Sequence, residues 1–103
     1  MNEKDWKLFR EKMPEWQNRY MDRLNREYIK LLNGEGKASD KFWALHDRIK
    51  EDAKDTGVAA RMSRSWMERN IAALLDEGAI TLEELEGFSE ELREKAEKYI
   101  FSR

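Results

Sequence analysis

The stretch Arg61-Met-Ser-Arg-Ser-Trp-Met-Glu-Arg-Asn70 gathers the most suggestive recognition chemistry in the chain. Arginine forks suit phosphate oxygens, and arginine and asparagine side chains suit base edges in a groove. On one helix, Arg61, Arg64 and Arg69 would form a nucleic-acid contact, the alternative function for this chain. The competing use is internal: Trp66, Met62 and Met67 enter a core while the arginines pair with the acidic C-terminal segment. Internal use is favoured, because this stretch supplies much of the expected core and the acidic residues between 83 and 97 would repel a phosphate backbone. His46 is the only histidine, so no histidine pair exists to hold a metal. Beside Asp47, with Glu51 and Asp52 about a turn beyond, it has the neighbours of a general base. A lone helical histidine is more simply a packed or half-exposed structural residue. Ser63 and Ser65 lie in no nucleophile elbow, and no glycine loop cradles phosphate. Catalytic residues, cofactors and metal ions are therefore not expected.

Gly78, Ile80, Glu84 and Leu85 are spaced so that they resemble the second half of an EF-hand calcium loop. Projected backwards, the first and third ligand positions fall on Ala73 and Leu75, which offer no side-chain oxygen, leaving Glu77 and Glu84 as the carboxylates. The same residues form a complete joint between helices. Gly78 follows the apolar run Ile71 to Leu75 and can take the left-handed conformation that closes a helix. Thr81 and Glu84 then make a capping box, with Ile80 and Leu85 as the hydrophobic staple. A capped corner accounts for every residue, whereas an ion loop does not.

Four tryptophans, three tyrosines, four phenylalanines and five methionines are many large side chains for a small chain. They either fill a core or form a partner-facing patch, since aromatics, Met and Arg are enriched at interfaces. Trp6, Phe9, Trp16 and Trp43 are the candidate partner surface. The amphipathic helix from Trp6 through Trp16 is its preferred part, because a segment preceding Pro14 could swing out.

The elements that must position these residues are helices. The chain has 103 residues, 41% of them charged, with one proline and a net charge of −2. One domain is expected, and the charge balance makes no global case for nucleic acid or an acidic membrane. The distribution is uneven: residues 58–75 carry a local +2, whereas residues 76–103 carry four basic and nine acidic residues. Absence of cysteine removes disulfides, thiol nucleophiles and thiolate metal sites. No apolar leader or spanning run is visible, so the cytoplasm is the default location.

Trp6, Phe9, Met13, Trp16, Tyr20, Leu24, Tyr28 and Leu31 recur in steps of three or four, the stripe of an amphipathic helix. Pro14 interrupts it, predicting nearly collinear pieces near 3–12 and 14–32. A helix near 40–55, capped by Ser39 or Asp40, carries Phe42, Leu45, His46, Ile49 and Ala53 on one side. Trp43 lies about 100° off that stripe and is expected to pack sideways on a neighbour. A helix near 58–77 has a wide apolar face with Ser63 and Asn70 in its middle. After the corner come a short helix near 82–86 and one near 89–101 capped by Ser89, although the spacing also fits one helix running through Gly87. The pattern predicts an all-α bundle of four to six helices with short connections. The expected function is a non-catalytic protein–protein interaction or regulatory module, bound to another protein or to itself.

Overall fold

The computed structural model describes residues 2–102. Asn2 begins the first helix by accepting the backbone N–H groups of Lys4 at 2.8 Å and Asp5 at 3.4 Å. Helix α1 then runs from Glu3 to Asn33 without a break. Two pieces separated at Pro14 were expected, and one helix is found. Trp6, Phe9, Met13, Trp16, Tyr20 and Leu24 are all buried along it, so a break would turn half of this stripe out of phase. Pro14 stands on the exposed side, where water can serve the carbonyl that the missing N–H leaves.

Three further α-helices follow: α2 (Ala38–Asp52), α3 (Met67–Asp76) and α4 (Glu90–Ser102). Short 3₁₀ turns at Arg64–Trp66 and Leu82–Leu85 complete an all-α bundle with no strand among the described residues. No helix among them is long and apolar enough to cross a membrane. The core joins the α1 stripe to Met67, Ile71 and Leu74 of α3, to Ile80, Leu85 and Phe88, and to Leu92 and Ala96 of α4. Trp16 stacks on Phe88 with ring centroids 6.2 Å apart.

The helix expected near 58–77 forms only from Met67 onward. Before it, Ser63 is extended at φ −147° and ψ 159°. Residues 53–63 form a strap that turns locally, the N–H groups of Val58 and Ala59 both reaching the Asp55 carbonyl, and that distant side chains fasten at several points. Glu77 accepts the N–H groups of Thr56 and Gly57, both at 2.8 Å. Gln17 donates to the Thr56 carbonyl at 3.1 Å, and the Asn70 amide donates to the Arg61 carbonyl at 2.9 Å. Asn70 is thus buried and satisfied, and its amide takes the Arg61 carbonyl, a group that a helix over 58–77 would have used internally. Ser63, expected on the same apolar face, is only half-buried and lies 3.3 Å from the Ser65 hydroxyl.

The corner forms as read. Gly78 has φ +71°, and the N–H groups of Ala79 and Gly78 return to the carbonyls of Leu74 and Leu75 at 2.9 and 3.2 Å. This is the double closure of a Schellman motif. Glu84 accepts the Thr81 N–H at 2.8 Å, its half of the capping box. Two arginines of α1, four residues apart, fasten this corner. Arg19 donates to the Ala79 carbonyl at 2.8 Å and meets Glu84 at 2.5 Å, while Arg23 donates to the carbonyls of Gly78 and Glu77, both at 2.9 Å. Cations therefore sit at the negative end of α3.

The chain does not continue helically through Gly87. Buried Asp5 accepts the Ser89 N–H at 2.8 Å and the Ser89 hydroxyl at 2.5 Å. The Ser89 oxygen in turn accepts the Leu92 N–H at 3.2 Å, capping α4 as expected.

The packing around Tyr20 and Tyr28 makes two predictions. A Cβ at Gly57 would lie 2.3 Å from the Tyr20 ring, so Gly57→Ala should cost about 1–3 kcal/mol in denaturant unfolding. A cost within error would mean that the ring moves without loss. Desolvation, then the hydrogen bond to Asp52, pushes Tyr28 up to about 12 from 10. Desolvation and the 2.6 Å bond to Asp55 raise Tyr20 as well. The folded state holds these protons more tightly, so their stabilisation is complete below pH 10 and is lost as pH rises through 12. The alkaline loss of stability should be flatter in Tyr20→Phe/Tyr28→Phe; an unchanged slope would assign it to other groups.

Candidate functional site

Trp6, Phe9 and Trp16, expected as a partner surface, are buried in the core. Their exposures are 6%, 0% and 3%, and the N-terminal end of α1 cannot swing out because Asp5 is bonded to Ser89. Aromatic content indicated large side chains but not their direction. Trp43 lies elsewhere and is 59% exposed, beside Phe42 at 63%. The sideways packing expected for Trp43 is absent. Its ring meets Phe42 edge-to-face at 5.1 Å and His46 at 5.5 Å, all on α2 itself.

The cause is the way α2 docks. Along the side of α2 that faces α1, polar groups make the contacts. Arg48 meets Glu27 at 2.6 Å and Asp52 at 3.1 Å. The Tyr28 hydroxyl donates to Asp52 at 2.6 Å, and Lys41 donates to the Leu32 carbonyl at 3.1 Å. Lys41, Leu45, Arg48 and Asp52 share this side at helical spacing. Phe42, His46, Ile49 and Ala53 are turned about 90° from it. Of the stripe expected to enter the core, Leu45 alone turns toward α1 and is half-buried, while Phe42, His46, Ile49 and Ala53 form the outer face, and none of the described residues of α2 is buried.

This stripe continues onto α1. Ile49 and Ala53 line a groove of about 240 Å³ with Met21, Leu24, Asn25 and Tyr28. Counting one and two turns from Asn25 along α1 reaches Ile29 and Leu32; counting back from Ile49 reaches His46 and Phe42. Ile29, Leu32, Phe42, Trp43 and Ile49 are all exposed. The helical hairpin made by the last turns of α1 and by α2 thus presents an apolar face. Ile29 and Leu32 were missed in the sequence, although their place off the Leu24–Tyr28–Leu31 stripe was the available signal.

The three arginines do not share a helix. Arg64 holds Glu3 through two bonds of 2.7 and 3.2 Å and lies 5.6 Å from the Trp6 ring. Its guanidinium holds the Glu3 carboxyl below the usual carboxylate range. Arg61, in the strap, and Arg69, on α3, lie 5.3 and 4.9 Å from the Trp66 ring. The partner of Arg64 is thus the start of α1, not the acidic C-terminal segment. Between α3 and α4 the charges pair in the opposite sense, Glu68 with Lys95 at 3.2 Å.

The other chemical candidates are engaged elsewhere. Glu77 serves the strap, whereas Glu84 serves Thr81 and Arg19, so the two carboxylates point to separate donors rather than to one ion. His46 is exposed and 3.4 Å from Asp47. The acids beyond it are occupied, Glu51 with Lys54 and Asp52 with Tyr28 and Arg48. A second recess of about 310 Å³ lies between α3 and α4, lined by Ile71, Ala72, Leu92, Ala96 and Tyr99. The Tyr99 hydroxyl there donates to Asp76. No family model, curated protein or solved structure matches the chain.

The division between core and outer aromatics makes a direct prediction. Phe42→Ser and Trp43→Ser should each change unfolding free energy by under about 0.5 kcal/mol, the range for surface sites. Phe9→Ala should cost about 3–5 kcal/mol. A large cost at position 42 or 43 in dilute solution would show that these side chains support the isolated fold.

Proposed function

We propose that this chain is a non-catalytic protein–protein interaction module that binds through the outer face of its α1–α2 hairpin. The observation that carries this reading is the inverted docking of α2, with polar groups against α1 and the apolar stripe toward solvent. A helix of 15 residues gains most of its stability in a protein from burying an apolar face. Here that face lacks a cover within the described chain. Phe42 and Trp43 supply the aromatic anchors found at binding hot spots, and the surrounding charges supply a polar rim. Use of Arg61, Arg64 and Arg69 as a nucleic-acid contact has weaker support, since Arg64 is taken by Glu3 and the other two lie against Trp66.

The test is photocrosslinking in the native host, with a benzoylphenylalanine at position 43 and a control at exposed Lys7. Position 43 should give a discrete crosslinked protein species, and Lys7 should not. Absence of any protein crosslink from position 43, with the chain folded and expressed, would overturn the reading.

A further inference from the structure

We infer that the groove between the Leu82–Leu85 turn and α4 docks a basic segment of another protein, one that carries a large apolar side chain among its lysines and arginines. This surface shares no residue with the α1–α2 hairpin and stands apart from the reading above. The groove has a volume of about 420 Å³ and is lined by Leu82, Glu83, Glu86, Arg93, Glu97 and Phe101. Leu82 is half-buried. The Phe101 ring is 80% exposed, the most open large apolar side chain among the described residues. Apolar surface is thus framed by carboxylates, the centre-and-rim pattern of an interface.

Charge selects the occupant. Glu90, Glu94, Glu97 and Phe101 fall within an arc of about 60° on α4, and all four are exposed. With Glu83 and Glu86 on and beside the facing turn, five carboxylates stand on the two elements that form the groove. None of them meets a cation within ion-pair distance among the described residues, and neither does Arg93, the one cation of the lining. The rest of this segment behaves differently: Glu84 meets Arg19 and Glu91 meets Lys95. Arg64, expected to neutralise the acidic segment, is held by Glu3 instead. The last turn of α4 carries no basic residue to offset the end of its dipole, and like charges four apart, such as Glu90 and Glu94, repel. A cationic segment relieves that repulsion, while Leu82 and Phe101 seat its apolar side chain and the ring can also receive an arginine. Nucleic acid and anionic lipid carry the wrong sign. A polyamine carries the right sign but leaves Leu82 and Phe101 without a partner.

The experiment is fluorescence anisotropy of a labelled amphipathic peptide of lysine, leucine and alanine, titrated with the full chain in low salt. Two control peptides replace its lysines by glutamate or its leucines by serine. The parent peptide should bind, and each control should bind about tenfold or more weakly. Glu90→Gln/Glu94→Gln/Glu97→Gln and Phe101→Ser, each confirmed by far-UV circular dichroism to keep its helix content, should weaken the parent peptide by a similar factor. Glu11→Gln/Glu15→Gln/Asp40→Asn removes the same charge from exposed positions elsewhere. That variant should keep its affinity within about twofold. No binding of the parent peptide, an equal loss in the two charge variants, or a Phe101→Ser chain that binds as before would each overturn the docking site. A serine peptide that binds as well as its parent would overturn the apolar seat and leave only attraction of cations.

Discussion

The structure depends on the continuity of α1. Its 31 residues span about 46 Å at 1.5 Å per residue, close to the 51 Å length of the whole molecule. Its buried residues lie between Asp5 and Leu24, and none of the described residues from 25 to 33 is buried. The helix is longer than the core it supports. Because the phase of its stripe prevents a break at Pro14, the excess has to project, and α2 can fold back only against that projection. The exposed hairpin is therefore a consequence of one helix outrunning its core.

Charge is spent mainly on holding this arrangement together. Arg19 and Arg23 close the end of α3, Arg48 fixes α2, and Arg64 fastens the strap side of the molecule to the start of α1. Such contacts set geometry firmly but contribute little net energy where solvent reaches them. Apolar burial holds α1, α3 and α4, whereas α2 relies on polar contacts. The two ends of the molecule thus differ in what stabilises them, and the weaker end carries the exposed aromatics.

Local pattern made some features legible. The α1 stripe follows from steps of three and four, and the corner follows from Gly78, Thr81 and Glu84 at fixed offsets. Ser89 was readable as a cap, although its tie to Asp5 was not, because 84 residues separate the two. The strap was misread for the same physical reason. Periodicity between 58 and 66 permits a helix, but Glu77 anchors Thr56 and Gly57 just before it and Asn70 takes the Arg61 carbonyl within it, so side chains well along the chain hold this stretch in another path. At the candidate surface, the stripe on α2 was visible and its direction was not. Spacing defines a face; only the docking partner decides whether the face points inward.

That direction has a cause in the residues themselves. Rotating α2 by about 90° to bury Phe42 and Ile49 on α1 would separate Arg48 from Glu27 and Asp52 from Tyr28. It would also bring the apolar stripe against Glu27, leaving a carboxylate without its cation at a closing interface. The polar side of α2 is complementary to this stretch of α1 and its apolar side is not. Phe42 and Trp43 are held outward against each other, edge to face, so an incoming surface meets a paired aromatic anchor with much of its side-chain freedom already spent.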